Sequence, residues 1–253
     1  MSPHRDNSCA GPRLMEFSVA PSKLLFDEPY YIEINEARWK VVSELLASVR
    51  RVAPIGNVLD LGCGPGWFSR RLVDSGLEVL GLDARRELVE EAQRRAPEAR
   101  FRVFDFDASA LEHAPERHDA VLAFGLLYHL ENPLRALRMF RASARHALLM
   151  ETMTVPEAGP VGRLVAENPN ETQGVRNLAL MLSPDAIVCA LSHVGFSYVY
   201  RYCAAVDHPD FFDTAERHKR RNIFLATDLP IDDPTLELQS PPRLGRYDFS
   251  IRQ

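Results

Sequence analysis

Short apolar runs alternate with segments of helical period through the middle of the chain. Residues 58–61, 79–82, 101–104, 120–124 and 147–151 read as short strands made of nearly continuous apolar runs, the pattern of strands covered on both faces. Between them, residues 68–75, 86–95 and 133–144 carry apolar positions three and four apart, as at Leu134, Leu137 and Phe140, so each predicts an amphipathic helix. This alternation builds right-handed crossovers and a parallel, doubly wound α/β sheet. A helix over 34–49 precedes the first strand. Further on, Ser183-Pro184-Asp185 opens a helix over 183–194 with a hydroxyl cap and Pro at its first position. Strands over 198–203 and 222–226 follow and bring the count to seven. The segment joining these two contains Pro209 and has no helical period, so they are expected to form an antiparallel hairpin at one sheet edge.

The 253 residues are 46% hydrophobic and 26% charged, which fits one ordinary globular domain, expected over residues 23–227. Residues 1–22 are polar and mixed in sign and are expected to be a flexible tail. Residues 228–253 are rich in Pro and acidic residues and are expected to be an extended tail on the surface. Residues 152–183 form a long polar connection, dense in Gly, Pro and Asn. Connections of this length are usually functional when ordered, and this one is expected to be a lid over an acceptor, with Arg163, Asn170, Arg176 and Asn177 as polar contacts. The four cysteines (Cys9, Cys63, Cys189, Cys203) show no C-x-x-C pair, so neither a disulfide scaffold nor a metal site is expected. Free thiols point to the reducing cytoplasm. No apolar run nears the roughly 18 residues of a membrane span, and the opening MSPHRDNSCAGPRL lacks the apolar core of a signal peptide. A net charge of −5 disfavours a broad nucleic-acid-binding face and leaves a local patch open.

The strongest local signal is VLDLGCGPGWFS, residues 58–69. A buried strand ends in a loop holding Gly62, Gly64 and Gly66, and a helix follows. In open α/β sheets such a loop at the carboxyl end of a strand borders the ligand crevice. The spacing is not a dinucleotide fingerprint, because Trp67 stands where the third glycine would be. No Lys-Ser or Lys-Thr follows, so it is not a phosphate loop either. Asp60, Asp83, Asp105 and Asp107 all fall at strand ends beside this crevice, and carboxylates accept hydrogen bonds while repelling phosphates. The expected ligand is rich in donors, positively charged and free of phosphate, a description that S-adenosylmethionine fits.

Asp60-x-Gly62-x-Gly64-x-Gly66, Asp83 and Asp107-Ala108 followed by Leu111 together resemble the motifs of class I S-adenosylmethionine-dependent methyltransferases over about residues 34–227. The resemblance implies a mostly parallel, seven-stranded Rossmann-like sheet with an antiparallel last strand. It implies that the Gly62–Gly66 loop lies against the methionine and ribose portion. Asp83 would accept the ribose hydroxyls, Asp107 the adenine amino group, and the Ala108 amide would lie near a ring nitrogen; Asp105 competes with Asp107.

The fourth strand runs into AFGLLYHLENPLRAL, which brings Gly125, Leu126, Tyr128 and His129 to the same crevice. Methyl transfer gains most from alignment of acceptor and donor and needs a base only when the acceptor must lose a proton. His129 is the first candidate base, Glu151 the second, and Tyr128 a positioning group. His118 and His146 precede their strands and belong to the opposite edge. The aromatic segment 26–39 is expected to close over the cofactor, with Tyr30 or Tyr31 reaching inward. GLLYHLENPL, LLMET, the stretch 177–196 and Arg220-Arg221-Asn222-Ile223-Phe224-Leu225-Ala226 resemble, more narrowly, the tRNA wobble-uridine carboxymethyltransferases. In that family the cofactor carries an extra carboxylate, and Tyr128 and Arg221 match positions that contact it. Lys23 is the nearest lysine to that family's third contact. The preferred expectation is methyl transfer to a small-molecule or glycan-like acceptor, at oxygen. The alternatives are carboxymethyl transfer from carboxy-S-adenosylmethionine to a tRNA base, and a non-catalytic cofactor-binding protein.

Overall fold

The computed structural model describes residues 24–110 and 114–245. The tail expected over 1–22, Lys23, Leu111, His113 and residues 246–253 lie outside the described residues. A short 3-10 turn (Leu25–Asp27) and α1 (Pro29–Arg50) lead into β1 (Asn57–Leu61), α2 (Trp67–Asp74), β2 (Glu78–Asp83), α3 (Arg86–Arg95), β3 (Arg100–Val103) and β4 (His118–Phe124). A second 3-10 turn (Leu127–His129), α4 (Pro133–Ser143) and β5 (Ala144–Met153) follow. Then come a separate hairpin of β6 (Gly162–Ala166) and β7 (Leu178–Leu182), α5 (Pro184–His193), β8 (Tyr198–Tyr202), β9 (Arg221–Thr227) and β10 (Leu236–Gln239).

The main sheet has the order β10-β8-β9-β5-β4-β1-β2-β3. β1 to β5 are mutually parallel, β9 runs antiparallel to both β5 and β8, and β10 runs antiparallel to β8. The apolar runs are continuous because alternate residues enter two different cores. Leu59, Leu61, Val121 and Ala123 pack with Leu137 and Phe140 of α4 and Ile187 and Leu191 of α5. Val58, Ala120, Leu122 and Phe124 pack with Val41, Val42 and Leu45 of α1 and Phe68 and Leu72 of α2.

Three expectations are corrected. The sheet has eight strands, not seven, and the eighth comes from the stretch expected to be a surface tail. There Ile231 is buried in the second core, and Leu236 to Gln239 pair with Tyr202 to Val199. The last two expected strands do pair antiparallel, but β9 inserts between β5 and β8, so they do not form an edge hairpin. The helix expected from 34 starts at Pro29, with Pro in its first turn. The connection 152–183 contains the β6–β7 hairpin.

Two features fix how the chain leaves β1. Gly66 caps α2 at φ 83°, and a Cβ there would lie 3.0 Å from both Cα and Cβ of Ala92 in α3. Asp60, fully buried, accepts a 2.6 Å hydrogen bond from the Ser69 hydroxyl and ties β1 to α2. Burial is the main cause pushing the Asp60 carboxyl up to about 7; Ser69 acts the other way, and Asp83 adds to the rise.

Gly66→Ala is expected to destabilise the fold by about 2 kcal/mol or more, from the left-handed backbone and the contact with α3; urea denaturation measures it. An unfolded aspartate titrates near ~4. Between about 4 and about 7 the folded chain therefore holds the extra proton at Asp60, and stability falls as pH rises through that window. Asp60→Asn removes this loss. Denaturation at stepped pH should show the variant gaining on the native protein by on the order of 2 kcal/mol between pH 5 and pH 8; a constant difference would contradict it.

Candidate active site

β1 lies between β2 and β4 in the sheet, so the chain departs from β1 and β4 toward opposite sides and a crevice opens at their carboxyl ends. The loop after β1 is tied to the end of β2. Gly62 and Cys63 N–H groups both donate to the Leu82 carbonyl, at 2.8 and 3.0 Å, and Gly64 N–H donates to Asp83 Oδ2 at 2.9 Å. Arg85 N–H donates to Asp83 Oδ1, also at 2.9 Å. A carboxylate oxygen has two lone-pair sites, so Asp83 keeps acceptor capacity toward the crevice. Burial raises the Asp83 carboxyl above its ordinary value, against the pull of those two amides. A Cβ on Gly62, which sits at φ 67°, would meet Leu126 at 3.1 Å, so the loops after β1 and β4 already touch.

Gly62, Gly64, Asp83, Asp107, Gly125, Leu126, Tyr128, His129, Tyr31 and Arg221 line one cavity, as do Phe26, Tyr30 and Asp105. Asp60, Gly66, Ala108 and Glu151 are not on its wall. The Ala108 amide is already engaged, donating to Asp105 Oδ1 at 3.2 Å. Asp105 also takes the Asp107 amide at 2.9 Å and both terminal nitrogens of Arg176, at 3.1 and 2.9 Å. Burial acts to raise its carboxyl, but Arg176 and the amides outweigh it and hold it below the ordinary value. Asp107 accepts from the Glu131 and Asn132 amides at 3.1 and 3.2 Å and so anchors the start of α4.

A buried ionic cluster backs the cavity. Glu151 has no exposed surface and accepts from Arg38 Nη2 at 2.8 Å and Arg221 Nη1 at 3.0 Å. Arg221 Nε donates to Asp210 at 3.2 Å, and its terminal nitrogens donate to Tyr128 Oη at 3.3 and 3.4 Å. Tyr30 donates to Asp210 at 2.7 Å. This meeting follows from topology: β9 is antiparallel, so its first residue, Arg221, lies opposite Met153 at the crevice end of β5. Burial lowers the Arg38 guanidinium, with Glu151 opposing, whereas Tyr128 and Glu151 outweigh burial and hold Arg221 well above its ordinary value. Arg38 Nη1 also donates to Asn35 at 2.9 Å, but its Nε is buried with no partner among the described residues.

The segment between β6 and β7 lies over the cavity, and Glu171 to Arg176 form part of its wall. It is held by Leu25 N–H to Glu171 (2.9 Å), Tyr31 Oη to Thr172 Oγ1 (3.0 Å), Arg85 Nη2 to the Asn170 carbonyl (2.9 Å) and the Arg176–Asp105 pair. Glu167 Oε1 lies 2.5 Å from His129 Nδ1. Of the other polar residues expected there, Arg163 pairs with Glu157, and Asn177 takes a φ of 55° while its carbonyl accepts the Glu167 amide. His118 bonds to the Glu116 carbonyl at the start of β4, at the opposite edge from the crevice.

Sequence reading missed Asn35, Arg38, Glu167 and Asp210. A signal existed for Arg38, which stands on the apolar stripe Ile34, Arg38, Val41, Val42 and Leu45, where a charge has no business unless it is paired. Asp210 and Glu167 sit in loops whose course no periodicity gives.

Residues 58–147 match the family model described as a methyltransferase domain. The malonyl-[acyl-carrier protein] O-methyltransferase of Enterobacter lignolyticus is 31% identical over 171 residues, covering 65% of this chain and 63% of that protein. The tRNA U34 carboxymethyltransferase of Pseudomonas savastanoi pv. phaseolicola is 29% identical over 158 residues, covering 60% of this chain and 48% of that protein. This chain thus spans less than two thirds of the length of either relative. The magnesium protoporphyrin IX methyltransferase of Synechocystis PCC 6803, crystallised with S-adenosylhomocysteine, superposes with a TM-score of 0.56 at 20% identity, over 83% of this chain and 90% of that one. Residues 58–147 thus match a methyltransferase domain, and the chain shares the fold of that solved methyltransferase.

Proposed function

We propose that this protein binds S-adenosylmethionine in the β1–β4 crevice and methylates a small-molecule or glycan-like acceptor at oxygen. The observation that carries the reading is the Asp83 carboxylate, fixed by the Gly64 and Arg85 amides with acceptor capacity facing the cavity. Four arginines also line the crevice. Arg176 is paired with Asp105 and Arg221 with Glu151 and Asp210, while Arg85 donates to a loop carbonyl. Arg38, also paired with Glu151, keeps an orphaned, buried Nε that suits the amino-acid carboxylate of the cofactor. Asp83 would take the ribose hydroxyls. Asp107, or Asp105 beside it, would take the adenine amino group.

When bound, the cofactor supplies a methyl group on a sulfonium. The remaining work falls to the protein. Gly125 and Leu126 shape the floor, Tyr31 and Tyr128 orient the acceptor, and His129 accepts its proton if one must leave. Glu151 serves instead to hold Arg38 and Arg221, since each of its oxygens faces an arginine. The segment 152–183 acts as the acceptor lid.

A second reading, carboxymethyl transfer, is favoured by the Arg221–Tyr128 pair on the cavity wall and by the carboxymethyltransferase relative. Against it, Arg221 is already committed to Glu151 and Asp210, which limits what it can offer a further cofactor carboxylate.

Asp83→Ala should weaken S-adenosylhomocysteine binding by about 1–3 kcal/mol; unchanged affinity by calorimetry would refute the ribose assignment. Mass spectrometry of the cofactor carried through purification should find S-adenosylmethionine or its demethylated product, and a carboxylated form would favour the second reading. Screening acceptors for conversion of the cofactor to S-adenosylhomocysteine tests the activity itself, and a cofactor-bound protein with no turnover on any acceptor would leave only a binding role.

A further inference from the structure

The candidate base and the covering segment are joined by one contact. Glu167 follows directly after β6 at the root of that segment, and its carboxylate is nearly inaccessible. Oε1 lies 2.5 Å from His129 Nδ1, and Oε2 accepts the Gly174 amide at 2.9 Å. Gly174 is packed so closely that a Cβ there would lie 2.6 Å from Glu167 Oε2 and 2.7 Å from the His129 carbonyl. His129 itself lines the cavity, its ring packs 3.9 Å from that of Tyr128, and its Nε2 makes no hydrogen bond to a described residue.

We infer that Glu167 is a positioning residue for His129: by accepting the Nδ1 proton it fixes the tautomer that leaves the Nε2 lone pair free toward the cavity. Because Glu167 belongs to the covering segment, a competent base exists only when that segment is seated. The inference rests on the proposed group transfer, where the acceptor hydroxyl gives its proton to Nε2. The O–H bond breaks and the N–H bond forms; the oxygen keeps the electron pair and would bond the methyl carbon as the carbon–sulfur bond breaks, its pair going to sulfur so that S-adenosylhomocysteine leaves. The resulting imidazolium retains its Nδ1 proton against the Glu167 carboxylate, which stabilises the added charge.

Glu167→Gln separates this role from simple anchoring. The glutamine carbonyl can keep the Gly174 amide, but its NH2 group then faces Nδ1 and forces the proton to Nε2. Nitrogen NMR of 15N-histidine-labelled protein saturated with S-adenosylhomocysteine should show neutral His129 protonated at Nδ1 in the native chain and at Nε2 in the variant. S-adenosylhomocysteine affinity should stay within about twofold. With an acceptor found by screening, kcat should fall by about 10²–10⁴-fold with KM little changed. A native His129 protonated at Nε2 would overturn the inference without any variant. So would a variant that loses ligand affinity while keeping the Nδ1 proton, since Glu167 would then be an anchor only. The tautomer is read without turnover, so failure to bind S-adenosylhomocysteine would count against the proposed function and not against this pairing.

Discussion

Three backbone amides hold the crevice open. Gly62, Cys63 and Gly64 all donate to the end of β2, two to the Leu82 carbonyl and one to Asp83. These bonds are made across strands, so the loop after β1 cannot move without unseating β2. The same loop reaches Leu126 on one side and, through Gly66, the α2–α3 contact on the other. Ligand-facing geometry is thus a by-product of packing that the fold requires anyway, and the carboxylate best placed to meet a ligand also fastens the loop.

Behind the wall, the structure commits four ionisable side chains to the interior. Removing one partner from such a cluster leaves an uncompensated buried charge, typically at a cost of about 3–5 kcal/mol. Here the cost is met by geometry. Antiparallel β9 brings Arg221 to the crevice end of β5, α1 supplies Arg38, and Asp210 enters from the loop before β9. Tyr128 and Tyr30 are hydrogen-bonded to this cluster, so the aromatic wall of the cavity is set by charges held almost entirely in the interior. Opposite it, the covering segment is attached by polar contacts to Leu25, Asp105, Tyr31, Arg85 and His129. Attachments of that kind open at far lower free energy than a packed core, which suits a segment that must admit and release ligands.

The parallel centre of the sheet was readable because strands covered on both faces leave unbroken apolar runs, and the glycine loop because its spacing and flanking strand are local. The crevice residues at strand ends followed from topology: Gly125 and His129 had to share an edge with Gly62. What stayed hidden depended on distant pairing. β10 carries Leu236-Glu237-Leu238-Gln239, an ordinary alternation in a Pro-rich stretch, and becomes a strand only because β8 offers an open edge. The insertion of β9 beside β5 is a choice between sheet edges that no local pattern encodes. Glu151, read as a base from its place at a strand end, is instead enclosed by two arginines, one of them on a helix 113 residues away. Ala108, assigned by motif, spends its amide on Asp105, a local turn contact that the motif spacing does not encode.

The central claim is that this crevice selects a cationic or donor-rich nucleoside without phosphates. Calorimetry of the purified chain against S-adenosylmethionine, S-adenosylhomocysteine, ATP and NAD tests it most directly. Saturable one-to-one binding of the two adenosyl amino acids with no heat from either nucleotide is the predicted result. Tight binding of a phosphate-bearing nucleotide, with none of S-adenosylmethionine, would contradict it.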